Sequence, residues 1–191
     1  VKIVGFLPGL TTMLGVSHQA IDDVALMRAL PNMTVIEPSG PEQLAGAVTA
    51  ALETPGPVYL RMLRGDAASA GVTPKPLLRV GEVLRQGPHG TIFASGVSVA
   101  AALEAAETLA KDGHKVTVVN IATVKPLDTA LVVELARSTG VVVAAENHSI
   151  IGGLGSAIAE TLMEAGVPAG FARVGIRDTF AEGGTTPYLQ S

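Results

Sequence analysis

The chain contains no cysteine and no tryptophan, and only 3% of its 191 residues are aromatic. Without cysteine neither a disulfide framework nor a thiolate metal site can form, which excludes disulfide-rich secreted scaffolds and cysteine-based zinc modules. Its four histidines, His18, His89, His114 and His148, are scattered without the spacing of metal ligands. We therefore predict no metal site formed by side chains of this chain.

Positive charge is also scarce. The sequence has 13 Lys and Arg against 17 Asp and Glu, a net charge of −4, with the two signs interspersed. This distribution offers no basic face for a phosphate backbone and argues against nucleic-acid binding. No apolar run approaches the roughly 20 residues of a membrane span, and the start at Val1 has neither the charged flank nor the apolar stretch of a signal peptide. We expect a cytoplasmic protein without a membrane partner.

Aliphatic residues are abundant, since 48% of the chain is apolar and most of that is Val, Ala, Leu and Ile. This composition is typical of parallel sheets covered by helices and predicts the α/β class. Residues 1–7, 33–37 and 57–62 have strand patterns, and residues 18–30 and 40–53 have helical periods. The first third of the chain is therefore predicted to form a partial βαβαβ layer with a parallel sheet.

A second unit follows a break in the pattern. The stretch 65–76 lacks apolar periodicity and is rich in Gly, Ala, Ser, Thr and Pro, which indicates a linker. Beyond it we predict strands near 78–85, 91–95, 115–121, 141–145 and 171–175, and helices near 97–111, 128–138 and 153–165. The predicted organisation is a domain over 1–66, a linker over 67–76 and a smaller α/β domain over 77–191.

Both ends of the sequence indicate interrupted elements. The buried-type strand at 1–7 needs neighbours on both sides, so we expect the chain to enter a sheet already under way, with a further portion before Val1. Residues 185–191 have the pattern of an N-cap, a first-turn proline and a single helical turn.

Three positions in the first domain carry polar chemistry. His18 is expected to open the helix of residues 18–30, where unpaired backbone N–H groups and a polar ligand can meet, while Asp22 and Asp23 complement the dipole of its first turn. Arg64 follows the strand 57–62, at the carboxyl end where ligands of open α/β sheets gather. Arg61 is expected on the opposite face of that strand, in a salt bridge or an interface.

A glycine cluster, Gly152-Gly153-Leu154-Gly155, lies between a predicted strand and a predicted helix. It resembles a dinucleotide fingerprint only partly, because Ile158 stands where the third glycine or alanine belongs. We interpret the cluster as close helix packing, at a subunit interface. Glu146 and His148, which follow the strand 141–145, are then expected to brace this interface or loop.

Four segments together resemble the transketolase group of thiamine diphosphate enzymes. They are SHQAIDDVALMRALPNMTVIEP (17–38), VTVVNIATVKPLD (116–128), VVVAAENHSIIGGLGSAIAE (141–160) and VGIRDTFAEGG (174–184). The resemblance covers nearly the whole chain. It implies that residues 1–66 are the C-terminal part of the pyrimidine-binding domain and that residues 77–191 are the transketolase C-terminal domain.

The resemblance also implies an activity. A transketolase moves a two-carbon ketol unit between sugar phosphates, as in the pentose phosphate pathway, with thiamine diphosphate and Mg²⁺ as cofactors. His18 matches the family's Thr-His-Gln motif, which implies a catalytic role in hydrogen bonding or proton transfer at the substrate, a task that suits an imidazole. Gln19 then supports the helix start. Arg64 matches the arginine that clamps the substrate phosphate, a contact its fork can make bidentately.

Part of the family's pattern is missing from this sequence. The groups that hold the aminopyrimidine ring, the diphosphate and the magnesium lie upstream or on a partner chain in this family, so we expect the cofactors to be bound mostly by residues outside this chain. The resemblance thus implies an N-terminal transketolase half or subunit as partner, a homodimer through the C-terminal domain, and an isolated chain without activity. Leu14 and Phe6 stand where the family has polar groups that contact the sugar, which puts the identity of the substrate in question.

Related activities share this two-domain ending. The alternatives within the superfamily are the beta chain of a 2-oxoacid dehydrogenase and a 1-deoxyxylulose-5-phosphate synthase. The His18-Gln19 pair favours a transketolase encoded as two half-length subunits, because dehydrogenase beta chains usually carry His-Ser-Gln. An alternative of another class is a non-catalytic assembly module.

Overall fold

A computed structural model describes residues 1–63 and 80–189. The predicted site residue Arg64 and the predicted linker 67–76 lie outside the described residues, so the domain boundaries at 66 and 77 stay predictions. The described chain is α/β, as the sequence predicts, with two mostly parallel sheets and helices packed on them. No helix among the described residues is long and apolar enough to cross a membrane.

The first unit contains three parallel strands and two helices. They are β1 (Lys2–Phe6), α1 (Asp23–Ala29), β2 (Thr34–Ile36), α2 (Pro41–Glu53) and β3 (Val58–Met62). β3 lies in the middle, with Lys2 of β1 and Thr34 of β2 both aligned with Val58. The predicted strands and the helix of residues 40–53 are confirmed. The helix predicted to start at His18 is wrong in its first turn, because α1 begins only at Asp23.

The second unit contains a five-stranded sheet and four helices. The strands are β4 (Glu82–Pro88), β5 (Thr91–Ala94), β6 (Val116–Asn120), β8 (Val141–Ser149) and β9 (Gly170–Ile176), in the order β4-β6-β5-β8-β9. The helices are α3 (Ser98–Lys111), α4 (Thr129–Thr139), α5 (Leu154–Glu164) and the short α6 (Thr186–Leu189). Every pairing is parallel except that of β4 with β6. These elements confirm the predicted alternation, although β8 extends four residues beyond its predicted end.

One strand was not predicted and joins the two units. β7 (Thr123–Lys125) comes from the second unit but pairs antiparallel with β2, so the first sheet has the order β1-β3-β2-β7. Just before it, the Ala122 carbonyl accepts a hydrogen bond of 2.7 Å from the Glu37 N–H. Lys125 Nζ donates to the carbonyls of Arg28 and Leu30, where a cation complements the C-terminal end of α1.

The apolar core is continuous between the units. One buried cluster contains Val24, Val35 and Tyr59 of the first unit together with Phe93 and Ile158 of the second. Smaller buried clusters lie between α3 and the second sheet and between α2 and the first sheet. Because the largest cluster draws on both sheets, the two units bury apolar surface against each other instead of folding around separate cores.

The glycine cluster lies at this contact. Gly152 has φ +79°, and a Cβ added to it would lie 2.6 Å from the Cβ of Ala25 in α1. Arg28 Nη1 donates to the Gly152 and Gly153 carbonyls at 2.5 and 3.1 Å. The predicted close packing is therefore confirmed and involves α1 of the same chain, while the predicted subunit interface stays a prediction.

Gly152→Ala tests this contact against Gly166→Ala as the matched control. Both glycines have positive φ, but a Cβ on Gly166 would meet nothing within 4 Å. The left-handed backbone costs each alanine about 1–2 kcal/mol, and the clash with Ala25 adds about 1–3 kcal/mol for Gly152 alone. Urea unfolding measures both free energies. Equal losses in the two variants would show that α1 and the glycine cluster are not tightly packed.

Candidate functional site

His18 lies on a turn of its own. Val16–His18 form one turn of 3-10 helix that follows Gly15, whose φ is +83°, and the His18 side chain is exposed. Ser17 Oγ and His18 Nδ1 are 2.9 Å apart and form a hydrogen bond. The turn is separated from α1 by residues 19–22, so His18 does not occupy the helix N-terminus expected for it. Its imidazole is nevertheless open to solvent and accessible to a ligand.

Gln19, the next residue, is buried. Only 4% of it is exposed, and its Nε2 donates to the Thr12 carbonyl at 2.9 Å and to the Glu182 carbonyl at 3.2 Å. Thr12 begins the loop that leads to His18, whereas Glu182 belongs to the second unit. The sequence predicted only support of the helix start for Gln19, and the contact with Glu182 was missed because no local signal pairs residues 163 positions apart.

Arg61 is the centre of a buried ion network. It is 1% exposed, and its guanidinium binds the Asp23 carboxylate through Nε at 2.8 Å and Nη2 at 3.1 Å. Nη1 donates to Glu37 Oε1. Nη2 also donates to the carbonyls of Ala20 and Asn147, both at 3.1 Å. The predicted salt bridge of Arg61 is confirmed, and through Asn147 it reaches the second unit.

The carboxylates of this network are held by further donors. Tyr59 Oη donates to Asp23 Oδ2 at 2.5 Å, and Ser95 Oγ donates to Glu37 Oε2 at 2.7 Å. Burial alone would raise the pKa of Asp23, but the charge and hydrogen bonds of Arg61 outweigh it and hold that pKa below its usual value. Burial and the contact with Asp23 raise the pKa of Tyr59. Asp23 therefore acts as the ionised partner of Arg61 in addition to its place in the first turn of α1.

Glu37 occupies the place where an open α/β sheet usually binds ligands. In the second sheet the connections diverge between β5 and β8, and the crevice outside their carboxyl ends is the expected ligand position. Glu37 binds Ser95 just after β5, and a Cβ on Gly96 would lie 2.4 Å from Glu37 Oε1. The first unit thus fills this crevice with protein. Sequence reasoning missed Glu37, since a single carboxylate after a short strand gives no signal of burial.

Glu146 and His148 brace the loop between β8 and α5, as predicted. Glu146 accepts hydrogen bonds from the Leu154 and Gly155 N–H groups at 2.7 and 2.9 Å and so caps α5. Burial raises the pKa of Glu146 to about 7, although the two N–H groups oppose the shift. A Cβ on Gly153 would lie 1.8 Å from Glu146 Oε2, so the cap requires glycine there.

The His148 ring lies between the two units. Its Nδ1 contacts the Ser149 carbonyl at 2.6 Å, and its Nε2 accepts from the Ala25 N–H in the first turn of α1 at 3.4 Å. Burial and the charge of Arg61 lower the pKa of His148. A neutral imidazole with its proton on Nδ1 satisfies both contacts. His148 is therefore a structural group at the interface, which agrees with its predicted bracing role.

The described residues contain no group of three or more His, Asp or Glu side chains that could hold a metal ion. The features that stand out are an exposed His18 on a turn tied to both units, and a buried ion network that fixes the units relative to each other. Two sheets joined in this way, with the crevice of the second filled by the first, define an α/β protein of two units packed against each other.

The comparison with known proteins identifies the class. Residues 1–69 match the transketolase pyrimidine binding domain, and residues 80–191 match the transketolase C-terminal domain. The chain belongs to the transketolase family, as the sequence motifs predicted.

Similar proteins are longer than this chain. It is 45% identical to an uncharacterized transketolase family protein of Sinorhizobium fredii over 99% of its length, and 47% identical to the 6-deoxy-6-sulfo-D-fructose transketolase subunit of a Clostridium species over 100%. A split gene transketolase, described as an inactive beta4 tetramer, has a TM-score of 0.86 and 45% identity over 99% of this chain. The chain spans 56%, 59% and 60% of these three proteins.

A second group of relatives consists of 1-deoxy-D-xylulose-5-phosphate synthases. The enzyme of Geobacter sulfurreducens is 38% identical over 93% of this chain, which spans 28% of it.

The buried carboxyl of Glu146 predicts a measurable pH dependence of stability. Its folded-state pKa of about 7 lies above the ordinary carboxyl pKa of 4.5, so between these values the folded chain keeps a proton that the unfolded chain releases. The resulting stability is complete below the unfolded pKa and is lost as the pH rises to about 7. Relative to Glu146→Gln, the free energy of unfolding of the unsubstituted chain should fall by about 1 kcal/mol per pH unit between about pH 5 and 7.

Glu160→Gln is the control for this titration, because Glu160 carries an ion pair to Arg28 but is more than half exposed. Chemical unfolding at several pH values measures the difference for each variant. Asp23 and His148 are present in the unsubstituted chain and in both variants, so their contributions to the pH dependence cancel in each difference of free energy. A difference between unsubstituted chain and Glu146→Gln that does not change with pH would show that Glu146 is ionised throughout.

Proposed function

We propose that this chain is the C-terminal half of a transketolase, which transfers a two-carbon ketol unit between sugar phosphates when assembled with an N-terminal half. The observation that carries this proposal is the match with the split gene transketolase, which extends over 99% of this chain at 45% identity and leaves 40% of that protein unmatched. Both family domains occur here in order. By this proposal the isolated chain is inactive.

The sheet edge of the first unit supports a partner. β1 pairs only with β3 in the described sheet and forms its edge, and Val4 and Phe6 on this strand are 45% and 60% exposed. An edge strand with apolar side chains is a surface that proteins normally cover. We assign it to the N-terminal half. The predicted homodimer through the C-terminal domain and the cytoplasmic location are kept as part of the proposal.

Thiamine diphosphate and Mg²⁺ would be held mostly by residues outside this chain. When bound, thiamine diphosphate supplies the nucleophilic carbon that cleaves the bond between two sugar carbons. The turn of Val16–His18 fits a position beside the cofactor, because the His18 imidazole is exposed to solvent. The neighbouring residues Ser17 and Gly15 are uncharged. His18 would donate a hydrogen bond to a substrate hydroxyl or move its proton.

Arg64 would bind the anionic end of the sugar. Its guanidinium fits a phosphate bidentately, and a sulfonate has a similar arrangement of oxygens. The Clostridium relative is named for a 6-deoxy-6-sulfo-D-fructose substrate, so a sulfonated sugar is a second candidate substrate for this chain. Assays with phosphorylated and sulfonated ketoses separate the two.

Two other activities remain as alternatives. A 1-deoxy-D-xylulose-5-phosphate synthase activity is supported by the identity of 38% with such enzymes, but the chain spans only 28% of them, against 59% of the sulfofructose transketolase subunit. A 2-oxoacid dehydrogenase beta chain was the other alternative from the sequence. A non-catalytic assembly module would share the fold but leave the exposed His18 without a role.

Arg64→Ala tests the phosphate clamp in the chain assembled with the N-terminal subunit of a split transketolase. Loss of one charge-assisted contact should raise KM for phosphorylated sugars by about 10- to 100-fold, which corresponds to 1.5–3 kcal/mol. Steady-state kinetics with phosphorylated and unphosphorylated acceptors measures the effect, and Arg137→Ala on α4 is the control. An equal loss with both kinds of acceptor would remove the clamp from the proposal.

His18→Ala should act mainly on kcat in the same assembly. A group that assists proton transfer contributes about 10²- to 10⁴-fold in the transition state, so kcat should fall by such a factor with little change in KM. His89→Ala, also an exposed histidine, is the control. If kcat of the His18 variant equals that of the unsubstituted assembly, His18 has no chemical task. If no assembly shows ketol transfer, the proposed function is wrong.

A further inference from the structure

We infer that Gln19 is a positioning residue, which fixes the His18 turn to the C-terminal tail of the second unit. The tail is defined as residues 178–189, which follow β9. This inference rests on the function proposed above, because it assigns the tail a role in placing His18. It makes the second unit part of the site, although the crevice of its own sheet is filled by Glu37.

The contrast between neighbouring residues supports this assignment. Val16, Ser17 and His18 are exposed, whereas Gln19 is 96% buried directly beneath them. The Gln19 N–H bonds to the Val16 carbonyl at 3.4 Å, and the His18 N–H bonds to Gly15 at 3.0 Å, so these local bonds hold the turn only to itself. The Gln19 side chain joins the turn to the Thr12 and Glu182 carbonyls, and the next residue, Ala20, accepts from the Gly9 N–H and from Arg61 within the first unit.

A primary amide has two N–H donors, and Gln19 uses both on backbone carbonyls. One bond, to Thr12 at 2.9 Å, closes the base of the loop that presents His18. The other, to Glu182 at 3.2 Å, reaches the tail. Both acceptors are backbone carbonyls, which no side-chain substitution removes. A substitution can therefore delete these two bonds only at the Gln19 side chain.

The tail meets the loop at a second point. A Cβ on Gly15 would lie 3.8 Å from the Gly183 nitrogen, so the two backbones run side by side immediately before His18. The Glu182 side chain is held in turn by Tyr188 Oη at 2.6 Å. Two adjacent tail residues therefore contact the loop on either side of His18 in sequence, and movement of the tail must change where the imidazole stands.

The other atom of the amide makes a clean test possible. Gln19 Oε1 is buried and has no hydrogen-bond partner among the described residues. Gln19→Met, of similar length, therefore deletes the two donor bonds and breaks no third bond. Gln43→Met in α2 is a matched control, since Gln43 is equally buried and its Oε1 accepts from the N–H and the hydroxyl of Ser39, within the first unit. Deletion of residues 178–191 removes the tail, of which no described side chain is buried.

The first measurement needs no activity. The four histidines of the chain give four Cε1–H signals in proton–carbon correlation NMR spectra, and His18→Asn assigns that of His18. Gln19→Met and the tail deletion should each shift the His18 signal in the same direction, and the shift in the combined variant should be clearly smaller than the sum of the two. Gln43→Met should leave it in place. An unchanged His18 signal in Gln19→Met, or additive shifts in the combined variant, would overturn the inference.

The second measurement uses the assembly with the N-terminal subunit. Misplacing a catalytic group by about 1 Å costs up to about 100-fold, so Gln19→Met should lower kcat by about 10- to 100-fold with KM nearly unchanged. An effect no larger than that of Gln43→Met would mean that Gln19 serves only the fold. If the assembly is inactive even without substitution, the proposed function fails, and the NMR result still decides the role of Gln19.

Discussion

The arrangement of the two units depends on the burial of one cation, the guanidinium of Arg61. Removing such a charge from water costs several kcal/mol, and this cost is offset only when its N–H groups all meet acceptors in good geometry. Arg61 meets the carboxylates of Asp23 and Glu37 and the carbonyls of Ala20 and Asn147. Because the Asn147 carbonyl and the Ser95 hydroxyl belong to the second unit, the network is complete only when the two units are docked. Donation from Tyr59 and Ser95 to the two carboxylates offsets the excess of negative charge.

This constraint explains what the second unit does with its sheet. The carboxyl edge between β5 and β8, where ligands bind in many α/β proteins, is filled by Glu37 of the network. In the second unit, the crevice thus receives Glu37 of the first unit instead of a ligand. The second unit also adds β7 to the first sheet and contacts the His18 loop through Glu182. Through these contacts the second unit holds the first unit in place.

The sequence was sufficient where the signal is local and insufficient where a contact is distant. Apolar periodicity located the major strands and helices, and the alternation of side chains along β3 predicted the ion pair of Arg61.

The sequence could not reveal β7, because a strand of three residues carries little pattern and its partner β2 lies almost 90 residues earlier. The predicted helix start at His18 was wrong because residues 19–22 are held by tertiary bonds from Gln19 and Arg61, which override local propensity. The bracing roles of Glu146 and His148 were predicted, whereas the contact of the glycine cluster with α1 had no local signal. Arg64 stays a prediction.

Native-state hydrogen exchange of Arg61→Met tests the central claim most directly. Removing one partner of a buried ion pair costs about 3–5 kcal/mol, since Asp23 and Glu37 are left buried without their cation. If the network docks the units, the amides of β2 and of β8 should lose protection by the same amount, while Arg137→Met, on the exposed surface of α4, should change neither. A variant in which β2 loses protection and β8 keeps that of the unsubstituted chain would contradict this account, because the two units would then be stable independently of Arg61.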